Sequence, residues 1–150
     1  MRLKSSQRLL LDSSALIYFL TGLQPYFGLL MPVFQRVEAG QATIIVSAIT
    51  EAEILVRPMM DENEDAIERI ADLLSEDGID VVEVDRAIAR RAARLRAAAK
   101  RTGSAPLKLP DAMIVATALD ARCDLVIGND RQWTKLEGLP FLFLDDIIGK

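Results

Sequence analysis

At 150 residues the chain has room for one domain with a substantial core. Apolar residues make up 51% and charged residues 27%, which excludes a disordered chain, and the apolar stretches break off well short of the roughly 18 residues that a membrane-spanning helix needs. A formal charge of −4 argues against a simple nucleic-acid binder, because backbone-driven binding needs basic surface.

There is no histidine. That removes Ser-His-Asp triads, His-activated cysteines, His-based acid–base chemistry and most zinc hydrolase sites. The single cysteine, Cys123, rules out an intrachain disulfide and fits a reducing, cytoplasmic compartment. Beside a helix end, with no histidine to activate it, it reads as core packing. No glycine-rich phosphate loop is present. The N-terminal residues 1–8 are basic. The apolar run after them holds Asp12 and lacks a signal-type cleavage site, so it reads as a strand and helix rather than a secretory signal.

In chain order, residues 9–12 read as a short buried strand, followed by an apolar helix over 14–21 with Ser13 or Ser14 near its cap. A second helix runs over 25–39 and stops at Gly40. Residues 43–47 are β-branched and short, hence a strand. A helix over 48–57 follows, with a boundary at Pro58. Another spans 63–75, capped by Asp61 or Asn63 and closed near Gly78. Residues 79–82 are a strand, and Asp85 caps a long helix through Arg101. Residues 102–109 are a loop, 111–121 a helix, 124–127 a strand and 141–144 a last strand. Strands separated by helices imply one domain with a mostly parallel sheet covered on both faces. Ligands of such sheets bind beyond the carboxyl ends of the strands.

Four carboxylates stand beside or inside apolar segments. Asp12 closes Leu9-Leu10-Leu11, and Asp130 follows a strand at Gly128-Asn129. Both fall at the ligand-binding edge. Glu53 sits at i+4 from Ile49 and three residues before Val56, on an apolar face, whereas Glu51 lies on another side with Leu55. Asp111 occupies a first helical turn and shares a face with Ile114, Val115 and Ala118. Each has an ordinary explanation: a turn after a strand for Asp12, a partly solvated residue or ion pair for Glu53, helix-dipole capping for Asp111, a turn or cap for Asp130. All four on these elements are harder to explain by coincidence. If they meet, they form an oxygen-only site suited to Mg²⁺ or Mn²⁺.

These segments resemble the PIN-domain ribonucleases, and within them the VapC-like toxins of toxin–antitoxin pairs. The matching stretches are Leu10-Leu11-Asp12-Ser13-Ser14-Ala15-Leu16-Ile17, residues 46–55 around Glu53, residues 109–119 around Asp111, and Leu125-Val126-Ile127-Gly128-Asn129-Asp130. Together they span residues 9 to about 145. The resemblance implies a PIN-like α/β fold, a metal-dependent endoribonuclease, a cognate antitoxin partner and a homodimer. It makes Asp12, Glu53 and Asp111 catalytic metal ligands, with Asp130 as the fourth acid. The family often has Thr or Ser where Gly128 stands, and many of its toxins place an aspartate where this chain has Gln132; Asn129 then becomes a further contributor, expected to contact the substrate.

Under that resemblance, the bound ion activates water for in-line attack on an RNA phosphodiester. Basic residues cluster on one helix: Arg86, Arg90, Arg91, Arg94, Arg96, Lys100 and Arg101. Most of them read as a solvated face, but Arg101 and Lys108 flank the loop leading to Asp111 and are expected to contact RNA. Phe19, Leu20, Leu23, Tyr26, Phe27, Leu29, Leu30, Met31 and Val33 exceed one helical stripe, as a deeply buried helix or a partner surface would. No membrane partner is expected. The alternative is a PIN-like binding or scaffold domain with weak or no nuclease activity, which Gly128 and Gln132 favour. A receiver-type or phosphatase reading of Asp12 lacks the partner lysine and paired acids it requires.

Overall fold

Apolar β-branched and leucine runs too short for helices form five parallel strands among the described residues, which are 6–104 and 106–149 of this computed structural model. They are β1 (Gln7–Leu11), β2 (Ala42–Ser47), β3 (Ile79–Val82), β4 (Leu125–Gly128) and β5 (Phe141–Phe143), in the sheet order β3-β2-β1-β4-β5. Between them lie α1 (Ser13–Thr21), α2 (Tyr26–Glu38), α3 (Ala48–Met60), α4 (Glu64–Leu74), α5 (Arg86–Thr102) and α6 (Leu109–Asp120). A 3₁₀ helix (Arg131–Lys135) precedes β5, and α7 (Leu144–Ile148) follows it.

The period of two along β1 sorts the core into layers. Leu9 and Leu11, with Ile44 and Val46 of β2, pack against Leu16, Leu30, Phe34, Ile54 and Ile70 of α1 to α4. Leu10, Ile45 and Val126 face the other way, onto Ile114, Val115 and Ala118 of α6 and onto Trp133. Helix α5 lies outside α6 through Ile88, Ala92, Ala112 and Ala116. The sheet is therefore covered on both faces, as its near-continuous apolar strands require.

The strand order fixes where a ligand can bind. From β1 the chain moves outward to β2 and β3. After α5 and α6 it returns to the opposite side of β1 as β4. The strand order thus reverses between β1 and β4, which opens a crevice at their carboxyl ends.

Three expectations change at element ends, and one alternative is decided. Asp12 is not the last strand residue; it is the N-cap of α1, a role expected of Ser13 or Ser14. Helix α3 runs through Pro58 to Met60. Proline lacks a donor, but it sits in the last turn, and the carbonyls of Arg57, Pro58 and Met59 find donors in the following loop. Asn63, rather than Asp61, caps α4 by accepting from Ala66 N–H. Leu144 begins α7 instead of ending a strand. The basic reading of residues 1–5 lies outside the described residues. Among those residues no single helix is long and apolar enough to cross a membrane; α1 and α2 reach the length only together and are bent by 99°.

Candidate active site

Both acids at the crevice are placed by strand ends. The Asp12 amide donates to the Ile127 carbonyl of β4, at 3.0 Å, which locks the end of β1 to its neighbour. The Asp12 backbone then turns into α1, and Oδ1 accepts from Ala15 N–H at 2.8 Å. Oδ2 accepts from Asn129 N–H at 3.2 Å, beyond the end of β4. Asp12 is only 4% exposed. Asp130 caps the 3₁₀ helix, with Oδ1 accepting from Gln132 N–H at 2.9 Å. The ordinary capping explanation of Asp130 thus holds, and Asp12 caps a helix where only a turn was expected.

The other two acids come from helices. Asp111 stands in the first turn of α6, where Lys108 makes no side-chain cap and Pro110 has no N–H. Glu53 lies in the second turn of α3, where the nearby Ser13 hydroxyl favours its charged form. The electrostatic neighbours close a ring. Asp12 feels Asp130 and Glu53, Glu53 feels Asp111, and Asp111 feels Asp130. Three of the four sit at helix N-termini, whose dipoles partly offset the gathered negative charge.

Burial is the larger perturbation. It pushes the Asp12 carboxyl up to about 6, against the backbone hydrogen bonds from Ala15 and Asn129, and the charges of Asp130 and Glu53 add to the rise. Partial desolvation of its carboxyl and then Asp111 raise Glu53, while the nearby Ser13 hydroxyl lowers it. Burial and then Asp130 raise Asp111, and the Lys108 ammonium lowers it.

The surroundings of Glu53 differ from the expectation. Its apolar neighbour Val56 is 54% exposed, and the core side of α3 is carried by Thr50 and Ile54. Glu53 is itself exposed, so its face is a surface leading to the crevice rather than a wall of the core. Glu51 is half-buried and is not among the carboxylates bearing on Asp12, Glu53 or Asp111. Lys108 is brought to the site through Asp111. Arg101 is exposed in the last turn of α5, and among the described residues nothing ties it to the acids.

Asn129 also takes a different place. Its Nδ2 donates to Tyr18 Oη at 3.0 Å, and its Oδ1 accepts from Asp145 N–H at 3.0 Å. Tyr18 stacks on Tyr26, whose hydroxyl donates to Asp145 at 2.6 Å. The Asn129 side chain therefore ties β4, α1 and α7 together instead of standing free for a substrate. Sequence reasoning missed Ser13, Tyr18 and Asp145 as neighbours of the site, because their partners are remote in sequence. Cys123 is half-buried, and burial pushes its thiol up to about 11, in keeping with packing.

Four hard oxygen donors with one nearby cation suit Mg²⁺ or Mn²⁺ in chemistry. Among the described residues no three acids form a ready-made cage. Closure on an ion would fall to rotation of exposed Glu53 and half-buried Asp111, since Asp12 is fixed by two backbone donors.

A family model for the PIN domain matches residues 9–139, so the chain belongs to the PIN domain family. Solved structures with the same fold include VapBC2 from Rickettsia felis bound to a fragment of its promoter DNA, at 15% identity over 91% of this chain and 98% of that chain, with a TM-score of 0.74. A toxin–antitoxin complex from Klebsiella pneumoniae is 27% identical over 87% of this chain and 94% of that one, with a TM-score of 0.64. The sarcin–ricin loop cleaving toxin VapC20 from Mycobacterium tuberculosis is 13% identical, covering 84% and 92%, with a TM-score of 0.63. No curated protein matches the sequence. The resemblance read from the motifs is thus borne out at the level of family and fold.

The Asp12 shift gives a stability signature. The folded protein keeps this proton up to about pH 6, whereas the unfolded chain releases it near 3.8. Between those values the folded state binds more protons, so stability falls as pH rises through the window. The complete penalty is about 3 kcal/mol, more than the ~1 kcal/mol of one neutral hydrogen bond that an amide would lose. In EDTA, Asp12→Asn should melt no lower than wild type at pH 7.5. Between pH 5 and 7.5 wild type should lose roughly 1–2 kcal/mol more stability than the variant. Parallel pH profiles in urea unfolding would contradict the assignment.

Proposed function

We propose that the protein is a metal-dependent endoribonuclease acting as the toxin of a toxin–antitoxin pair. The observation that carries this reading is the ring of Asp12, Glu53, Asp111 and Asp130, drawn from four separate elements to the crevice between β1 and β4. Membership of the PIN domain family supports it. So does the likeness in fold to a toxin described as cleaving the sarcin–ricin loop.

Bound Mg²⁺ or Mn²⁺ would supply an activated water and neutralise charge on the scissile phosphate. Asp12 and Asp111 would hold the ion, with Glu53 and Asp130 completing the set directly or through water. Ser13, beside Glu53, favours its charged form. Lys108 offsets repulsion at Asp111 and offers a cation to a phosphate beside the site. On α5, Arg86, Arg90, Arg94, Lys100 and Arg101 are exposed, and none is ion-paired among the described residues. This stripe gives an acidic protein a local basic track for RNA, and Arg101 with Lys108 leads it towards Asp111. The protein works in the cytoplasm, where RNA and reducing conditions are found. Asn129 acts through its ties rather than by touching RNA.

A groove of about 270 Å³ has Glu53, one of the four acids, in its lining. Ile17 and Leu20 of α1, Ile54 and Pro58 of α3, and Ile70 of α4 line it, with Glu53 at its edge. An apolar antitoxin segment lying there would bring an arginine to the carboxylates and compete with the metal. Arg57 and Arg69, also in the lining, would meet its acidic groups. The α1–α2 surface suits a homodimer. Of the apolar residues over 19–33, Leu30 is fully buried, Leu23 is 48% exposed, and Phe19, Leu20, Tyr26, Phe27, Leu29, Met31 and Val33 are half-buried.

A scaffold without nuclease activity is the second reading, favoured by the lack of a ready-made cage among the described residues. Cleavage separates the two. With Mn²⁺ and a structured RNA, wild type should cut, and Asp12→Asn and Glu53→Gln should lose roughly two orders of magnitude in rate, while Glu51→Gln stays near wild type. An inactive wild type at saturating metal would leave the scaffold reading standing.

Two further outcomes concern partners. Ile17→Glu, at a position 42% exposed and hence compatible with folding, should weaken the cognate antitoxin at least about tenfold. Unchanged affinity in calorimetry would place the antitoxin elsewhere. Sedimentation at micromolar concentration should give a dimer that Leu23→Asp dissociates; a wild-type monomer would refute the paired state.

A further inference from the structure

Gly128 ends β4, pairs with Phe143 of β5 and is buried. Its backbone is not in the left-handed region, so conformational freedom does not explain a glycine here. Space does. A Cβ built on Gly128 would collide with the Asp12 carboxylate, coming within 2.5 Å of Cγ and 3.1 Å of Oδ1 and closer still to Oδ2. The three nearest atoms all belong to Asp12. The carboxylate therefore lies in the volume that any other residue at 128 would fill. Two backbone donors hold it there: Ala15 N–H on Oδ1, and Asn129 N–H on Oδ2. Asn129 is itself fixed by Tyr18 and Asp145, so the second donor cannot follow a displaced carboxylate.

We infer that Gly128 is a positioning residue: by lacking a side chain it provides the seat that fixes Asp12 within the acidic ring. The inference deepens the metal-site reading and rests on it for its consequence, but the seat itself is independent of metal. The far end of the Asp12 side chain can rotate where backbone could not, so a methyl group at 128 should expel the carboxylate without destroying the fold. The expelled group loses the Asn129 donor and its place opposite Asp130 and Glu53. Removing a group that orients a metal ligand typically lowers metal affinity about 10- to 100-fold.

A double-mutant cycle in EDTA tests the seat. Gly128→Ala should lower the melting temperature by about 3 °C or more when Asp12 is present. In the Asp12→Ala background, where nothing occupies the volume, it should leave the melting temperature unchanged or raise it. Failure of Gly128→Ala to fold, with the double variant folding, would support the seat in the same way. Equal shifts in both backgrounds would overturn it. Calorimetric titration with Mn²⁺ then tests the consequence, and affinity at least about tenfold weaker in Gly128→Ala is expected. Affinity equal to or tighter than that of wild type would overturn the positioning role. A wild type that binds no Mn²⁺ would instead refute the metal-site reading, and the cycle would still decide the seat.

Discussion

Like charges gathered at a sheet edge are the constraint around which this structure is arranged. Asp12, Glu53, Asp111 and Asp130 act on one another through a closed set of neighbours, and burial raises Asp12 before any of those charges is counted. A fold gains nothing in stability from this arrangement. It persists because the sheet, helix starts and backbone donors hold it. Asp12 accepts two backbone N–H groups, Asp130 accepts one, and Lys108 faces Asp111. Such local offsets leave the excess negative charge available to a cation.

The rigidity behind the site comes from a compact set of ties. Asp12 N–H bonds Ile127, Asn129 bonds Tyr18 and Asp145, and Tyr26 bonds Asp145. These bonds tie the ends of β1 and β4 to α1, to the start of α2 and to the start of α7. Glu53 and Asp111 are held less tightly and stand nearer solvent. A fixed pair beyond the strand ends faces an adjustable pair on the helices, an arrangement that would suit closure on a bound cation.

Much of this was legible in the sequence because it depends on local pattern. Apolar runs too short for helices gave the strands, alternation with helices gave the parallel sheet, and an acid closing such a run gave Asp12 at the ligand-binding edge. Asp111 was visible as a charge in the first turn of an apolar helix. What escaped depends on contacts between segments remote in sequence. Gly128 reads as a departure from the family until Asp12 is seen in the volume of its missing side chain. Asn129 reads as a free amide until Tyr18 and Asp145 are seen to take both ends of it. The face of Glu53 reads as core because Ile49 and Val56 are apolar, yet Val56 is mostly exposed. Proline at 58 reads as a stop, but it stands in the last turn of α3, and N–H groups of the following loop take the carbonyls of Arg57, Pro58 and Met59.

The central claim is that the four acids are one cation site. Crystals soaked in Mn²⁺ and measured at the manganese absorption edge test it most directly. The account predicts an anomalous peak among the carboxylates of Asp12, Glu53, Asp111 and Asp130, with Glu53 and Asp111 turned inward and Asp12 unmoved. No peak at saturating Mn²⁺, or a peak held by other residues, would contradict it.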